Sequence, residues 1–306
     1  MTSAVVFAYH DVGVRCLATL LAHGIDVKLV VTHQDNPAEE IWFASVAQLA
    51  RDNDLAVITP SGANDPQLLP KLRAIAPDFI FSFYYRYMLA AELLATAGRG
   101  ALNMHGSLLP KYRGRVPVNW AILNGERSTG ASLHYMVAKP DAGDLIDQMA
   151  VPIHPDDDAL AVFRKLTVAA ELVLDRSLAA LVQGNAPRRA LDLAHGSYFG
   201  GRSAADGRID WQRSARQVHD LVRAVAPPYP GAFTSLAGQP LRILQTRCDV
   251  IAVPGAPGAV TLRDARWHVS CGSGSVRILS AELGGAPVTF AQIANAAAGS
   301  GTLRLD

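Results

Sequence analysis

Very little in this chain suggests life outside the cell or in a membrane. Its 306 residues include three cysteines, Cys16, Cys248 and Cys271. They are widely spaced, too few for a disulfide scaffold and without metal-ligand spacing. A reducing compartment is therefore expected, with each thiol a small buried hydrophobe. The N-terminal Met1-Thr2-Ser3 lacks the basic residues of a secretory leader, and the apolar run after it reads as a buried strand. No stretch approaches the ~18 apolar residues of a membrane span, so a cytoplasmic location without membrane association is expected. Charge of one sign is missing too. With 28 basic and 27 acidic residues the formal charge is +1, which argues against a broad basic face for nucleic acid. The first strand-to-helix turn, Ala8 to Gly13, lacks GxGxxG, and neither GxxxxGK[ST] nor HExxH occurs. A nicotinamide cofactor and a P-loop lose their main support, and no metal is expected.

What the chain has is alternation. Strands are predicted at Ala4–Tyr9, Val27–Thr32, Ala56–Thr59 and Phe79–Phe83, with helices at Gly13–His23, Ser45–Asn53 and Pro66–Ala76 between them. Buried strands separated by helices predict an α/β, Rossmann-like, mostly parallel sheet. Further strands are expected at Ala101–Met104, Ala131–Val137 and Asp144–Pro152, then a long helix over Leu160–Gln183. Gly, Ser and Ala crowd Ser197–Arg208, which places a domain boundary there: 1–203 for the first domain and 204–306 for the second. The second domain should hold a helix near Ala215–Val225, ended by Pro227-Pro228 because proline cannot continue it. Short strands follow at Leu241–Thr246, Val260–Leu262, Trp267–Ser270 and Val276–Leu283, for which a small OB-like barrel is the expected arrangement.

The chemistry-bearing stretch is Asn103-Met104-His105-Gly106-Ser107-Leu108-Leu109-Pro110-Lys111-Tyr112-Arg113-Gly114. Strand alternation puts Asn103 and His105 on one face, at the carboxyl end of a strand, where open α/β sheets bind ligands. Asn-x-His alone is weak, and a lone histidine is more often structural. Asp141, in Lys139-Pro140-Asp141-Ala142-Gly143 after the next strand, strengthens it. A carboxylate beside His105 would raise its pKa and orient it, while Asn103 would donate to a developing oxyanion. Those three groups suit acyl transfer to an amine.

This segment, with the later Asp-Ala-Gly, resembles the folate-dependent formyltransferases. The likeness runs over nearly the whole chain, including Ile209-Asp210-Trp211 and Tyr229-Pro230-Gly231-Ala232-Phe233. The resemblance implies 10-formyltetrahydrofolate as formyl donor, Asn103 as stabiliser of the tetrahedral intermediate, His105 as general acid/base and Asp141 as the group tuning it. It also implies a folate cleft lined by Tyr87, Met88 and Leu89, by Val137, Ala138, Lys139 and Pro140, and by Arg115. By the residues alone, Met88 and Leu89 could equally be core and Arg115 a surface ion pair.

Within the family a second domain speaks against glycinamide ribonucleotide as acceptor, and a strand that opens at once speaks against the deformylases. Two acceptors stay open, methionyl-tRNA and a nucleotide-linked amino sugar. Phe7-Ala8-Tyr9-His10-Asp11-Val12-Gly13, Thr32 to Glu39 and Phe81-Ser82-Phe83-Tyr84-Tyr85-Arg86 are similar to the formyltransferase half of the bifunctional polymyxin-resistance protein. That similarity implies a UDP-linked amino sugar, UDP-4-amino-4-deoxy-L-arabinose, and a part in lipid A modification and antibiotic resistance, with no nucleic-acid partner. A folate- or nucleotide-binding module without chemistry is the non-enzyme alternative; an intact Asn103, His105 and Asp141 set argues against it. Oligomeric state is not readable.

Overall fold

The first strand, β1 (Ser3–Ala8), is buried at every position after Ser3, as its unbroken apolar run requires. It belongs to the first of two compact units of the computed structural model, which describes residues 1–62, 65–249, 253–300 and 303–306. The first unit comprises residues 1–117, 128–152 and 163–200; the second comprises 118–127, 153–162 and 201–306.

After β1 come α1 (His10–Ala22), β2 (Asp26–Val31), α2 (Val46–Asp52), β3 (Val57–Ile58), α3 (Leu68–Ile75), β4 (Phe79–Phe83), α4 (Ala91–Leu94) and β5 (Gly100–His105). Helix α1 begins three residues before the expected Gly13. That glycine marks a close approach instead: a Cβ there would lie 3.0 Å from Val46 and 3.1 Å from the Ala8 side chain. Helix α2 begins one residue after the expected Ser45, whose hydroxyl caps it by accepting from the Gln48 amide. There follow β6 (Arg113–Gly114), α5 (Pro117–Leu123), β7 (Ser128–Tyr135), β8 (Leu145–Pro152), α6 (Ala159–Gln183) and β9 (Tyr198–Phe199).

The main sheet has the order β3-β2-β1-β4-β5-β7-β8. Pairings from β3 to β5 are parallel, and those of β5 with β7 and β7 with β8 are antiparallel. The chain lays strands to one side of β1, then returns to lay β4 on the other side. The carboxyl ends of β1 and β4 are thus the switch point at which such sheets open a crevice. Strands β6 and β9 form a separate two-stranded ribbon, parallel, with Arg113 opposite Tyr198 and Gly114 opposite Phe199.

The second unit is built from α7 (Ala215–Ala224), β10 (Ala232–Leu236), β11 (Gln239–Cys248), β12 (Val260–Arg263), β13 (Arg266–Ser270), β14 (Ser275–Leu283), β15 (Ala286–Pro287) and α8 (Phe290–Ser300). Ser214 and Gln217 close a capping box on α7, whose Val218 and Val222 pack with Trp211, Ile243 and Val269 in the core. The strands form an antiparallel sheet, β10-β11-β14-β13-β12, with β15 against β14. A closed barrel, as the sequence leads one to expect, is not seen among the described residues. Among the described residues no ladder joins the edge strands β10 and β12. Residues 303–306 bridge to both edges, Leu305 to Leu236 and Arg304 to Ala259. Among the described residues, too, no helix is long and apolar enough to cross a membrane.

Candidate active site

Strand β5 delivers Asn103 and His105 to its carboxyl end, two residues apart and so on one face. Asp141 reaches them from the turn between β7 and β8. It has a left-handed backbone, φ 49°, and the turn closes on β7 because Gly143 has no side chain; a Cβ there would sit 2.0 Å from the Tyr135 carbonyl oxygen. Asp141 Oδ1 lies 3.3 Å from Asn103 Nδ2 and 3.5 Å from His105 Nδ1, and Oδ2 accepts from the Gly114 amide at 2.9 Å. The expected three are therefore brought together.

A fourth side chain joins them. His134 on β7 faces Asn103 across the ladder, its Nε2 3.2 Å from Asn103 Nδ2 and 3.5 Å from Asp141 Oδ1. The sequence pattern places His134 in a strand and gives it no role. The available signal was a histidine in a strand that leads into the turn carrying Asp141; the missing information was strand register.

Hydrogen bonding sets the ring chemistry. His105 Nε2 is 2.8 Å from the Tyr112 carbonyl, which can only accept, so that nitrogen carries the proton and Nδ1 keeps the lone pair beside Asp141. His134 Nδ1 likewise donates to the Tyr135 carbonyl at 2.8 Å. Burial pushes the His105 pKa down, opposed by the Asp141 charge and the Tyr112 carbonyl. Burial pushes the Asp141 carboxyl up, but His105, His134 and the Gly114 amide together outweigh it and hold the group below the ordinary carboxylate range. The pair thus holds a neutral imidazole at neutral pH beside a fixed anion ready to stabilise its protonated form. The loop after His105 is stapled to the sheet, since Ser132 Oγ accepts from the Leu109 amide and donates to the Ser107 carbonyl.

The residues expected to line a folate cleft divide. Leu89 is buried in the cluster with Phe7, Val31 and Ile80, so its side chain is core. Tyr87, Met88 and Val137 are large hydrophobic side chains left 43%, 62% and 46% exposed. Ala138, Lys139 and Arg115 are exposed and Pro140 is half-buried. Among the described residues, no hydrogen bond joins residues 87–89, 115 or 137–140 to Asn103, His105 or Asp141.

The three N-terminal segments singled out for their resemblance converge at the ends of β1, β2 and β4. Tyr9 donates to Asp35 at 2.8 Å, and Arg86 sets its guanidinium on both Glu39 oxygens at 3.0 and 2.8 Å. The Arg86 amide donates to His33 Nε2, and its guanidinium lies 4.8 Å from the Tyr9 ring centre. His10 stacks on Phe43 at 3.8 Å, edge-on to Trp42 and Phe163. Tyr84 brings its hydroxyl up to Gly106, where a Cβ would stand 2.0 Å from it. Among the described residues, no group of three or more His, Cys, Asp or Glu side chains could hold a metal ion.

Residues 7–177 match the family model described as formyl transferase, and residues 202–298 match the one for the formyl transferase C-terminal domain. Among solved structures, the N-formyltransferase from Helicobacter canadensis, in complex with folinic acid and dTDP-3-aminofucose, superposes with TM-score 0.74 at 19% identity, covering 91% of this chain and 99% of that one. A 4-N formyltransferase from Francisella tularensis gives 0.60 at 20% identity, covering 76% and 91%. HypX from Aquifex aeolicus in complex with tetrahydrofolic acid gives 0.64 at 17%, covering 95% of this chain and 46% of that chain. At such identities the likeness is one of fold.

Proposed function

The chain belongs to the formyl transferase family, and on that footing we propose that it moves the formyl group of 10-formyltetrahydrofolate onto the amine of a nucleotide-linked sugar. The observation that carries the reading is the meeting of Asn103, His105 and Asp141 within 3.3 to 3.5 Å at a strand end. Tyr87, Met88 and Val137 fit the donor, because exposed apolar side chains on two loops suit a flat aromatic ring. The donor supplies an activated formyl carbon, and the chain supplies the rest.

His105 Nδ1 takes the proton the amine loses as its nitrogen attacks, then returns it to the departing folate nitrogen. Asp141 stabilises the imidazolium and holds its ring. Both Asn103 Nδ2 hydrogens are engaged by long bonds of 3.2 and 3.3 Å, to His134 and Asp141. The amide exchanges the 3.3 Å bond to Asp141 for a shorter one to the developing oxyanion.

A sugar acceptor is supported by the convergence of Tyr9, His33, Asp35, Glu39 and Arg86 beside the β1–β4 switch point, and by the near-neutral charge of the chain. Solved structures of this fold include an N-formyltransferase in complex with dTDP-3-aminofucose and a 4-N formyltransferase, so the fold does not discriminate position. The resemblance of residues 7–13, 32–39 and 81–86 favours UDP-4-amino-4-deoxy-L-arabinose, hence lipid A modification and polymyxin resistance. The test is formyl transfer from 10-formyltetrahydrofolate across UDP-4-amino-4-deoxy-L-arabinose, dTDP-linked 3- and 4-amino sugars, and methionyl-tRNA. We expect the UDP sugar to lead, with an affinity that changes little with salt. Preferential formylation of methionyl-tRNA, weakening steeply as salt rises because each phosphate contact releases counterions, would replace the sugar with the tRNA.

A further inference from the structure

The β6–β9 ribbon has two differently employed edges. Toward β9, the Arg113 amide donates to the Ser197 carbonyl at 3.0 Å and the Arg115 amide to the Phe199 carbonyl at 3.0 Å. Toward the site, the Tyr112 carbonyl accepts from His105 Nε2 and the Gly114 amide donates to Asp141. The backbone of 112–114 is therefore the surface against which both members of the proton-transfer pair are set. Gly114 has φ +95°, and a Cβ there would meet the Phe199 carbonyl at 2.2 Å, so this backbone lies hard against β9.

Tyr112 is the weak link in that surface. It has φ 57°, a left-handed conformation that a tyrosine keeps only where its surroundings over-determine it. Its ring stacks on Phe199, 5.4 Å between centres. Its amide donates to the side chain of Ser197 at 2.8 Å. Ser197 is itself anchored, its amide donating to the Pro110 carbonyl at 3.2 Å and its carbonyl accepting from Arg113.

We propose that Ser197 is a positioning residue for the formyl-transfer reaction: its hydroxyl oxygen holds Tyr112 in the left-handed turn that aims the Tyr112 carbonyl at His105 Nε2. Ser197 acts through the Tyr112 backbone and fixes which ring nitrogen of His105 carries the proton. Without the hydroxyl, the Tyr112 amide loses its acceptor and the residue relaxes toward ordinary backbone. The carbonyl then swings off the imidazole, and His105 loses one of the two acceptors that favour its charged form, the other being Asp141. His134, the remaining titratable group facing the ring, opposes that form.

The proposal rests on His105 being the proton-transfer group, which His105→Ala tests separately. A matched pair isolates the hydroxyl, since Ser197→Thr and Ser197→Val share a shape and differ in the oxygen. We expect Ser197→Val and Ser197→Ala to lower kcat roughly three- to tenfold, the scale of one neutral hydrogen bond, with both KM values little changed. In the same proteins the His105 ring should titrate at lower pH by NMR, a measurement that needs no acceptor. Ser197→Thr should keep wild-type kcat and titration. A threonine variant that falls with the valine variant, or an alanine variant with wild-type kcat and an unmoved His105 titration, would overturn the proposal. Should the valine variant fail to fold, the alanine and threonine proteins decide it by the same readouts.

Discussion

His134 stands directly opposite Asn103 across the β5–β7 ladder, its Nε2 3.2 Å from the Asn103 amide nitrogen. Because His134 Nδ1 is committed to the Tyr135 carbonyl, Nε2 offers a lone pair, and it dictates which way the Asn103 amide is turned. Asn103→Ala should lower kcat by ~10²–10³, the usual cost of an oxyanion donor. His134→Ala should cost less, about tenfold, because it disturbs only the aim of that donor. In an Asn103→Ala background the His134 change should then cost almost nothing. An undiminished effect there would mean that His134 acts on its own.

Asp141→Asn should move the acidic limb of the kcat/KM profile to lower pH. The limb reports His105 losing its proton to become a base, and Asp141 raises that pKa. Replacing the carboxylate by an amide removes the charge, so the base form survives into more acid solution. Turnover should fall at every pH, because the imidazolium formed during transfer loses its anion. An unmoved limb would show that the 3.5 Å approach of Asp141 to His105 has no electrostatic consequence.

Much of this site was readable before the fold was known, for a physical reason. Asn103 and His105 sit at the end of an apolar run, and Asp141 precedes a glycine in a turn, so their positions follow from strand period and turn chemistry. His134 was not readable in its role, because it becomes a partner only through the antiparallel register of β5 and β7. The β6–β9 ribbon was invisible, since two residues carry no period, and its bonds join residues 85 apart in the chain. The convergence of residues 9, 35, 39 and 86 depends on β1 lying between β2 and β4. That order cannot be read from hydrophobic pattern. Barrel closure is unreadable for a related reason: strand length and spacing predict a sheet, while closure depends on which edges meet.

His10 makes the protein's stability depend on pH below neutrality. Burial, reinforced by the Arg86 charge, pulls its pKa down to about 3. The unfolded chain takes up a proton at His10 near an ordinary pKa of about 6.5, and the folded chain refuses it until about 3. The unfolded state thus binds more protons in this window, and stability falls as pH falls through it, by up to ~1.4 kcal/mol per pH unit from this group. His33, pulled down to about 4 by burial, adds to the slope. Asparagine tolerates the left-handed φ of 70° at this position and does not titrate. Urea unfolding of His10→Asn between pH 6 and 4 should show a shallower decline than wild type. Parallel declines would place the sensitivity elsewhere.

In the second unit Asp220 and Arg223 form a buried ion pair, Oδ1 to Nε 2.8 Å, with side chains 3% and 4% exposed. Arg216 reaches the other Asp220 oxygen at 3.0 Å, and Arg223 Nη1 donates to the Asp157 carbonyl. Arg223 Nη2 is buried without a hydrogen-bond partner, so the pair is imperfectly satisfied. Such a pair adds little over a well-packed apolar substitute, because the desolvation of two charges offsets their attraction. Breaking it from one side is different. Asp220→Ala strands the Arg223 guanidinium in the interior and should cost ~3–5 kcal/mol, read as a fall in urea midpoint by the fluorescence of Trp211 and Trp267, both in this core. Changing both partners, Asp220→Leu with Arg223→Met, should recover most of that loss, since no buried charge is then left unpaired; Arg216, which also loses Asp220, is half exposed. A double variant as unstable as Asp220→Ala would show that the hydrogen bonds to Arg216 and Asp157, and not charge balance, are what this pair contributes.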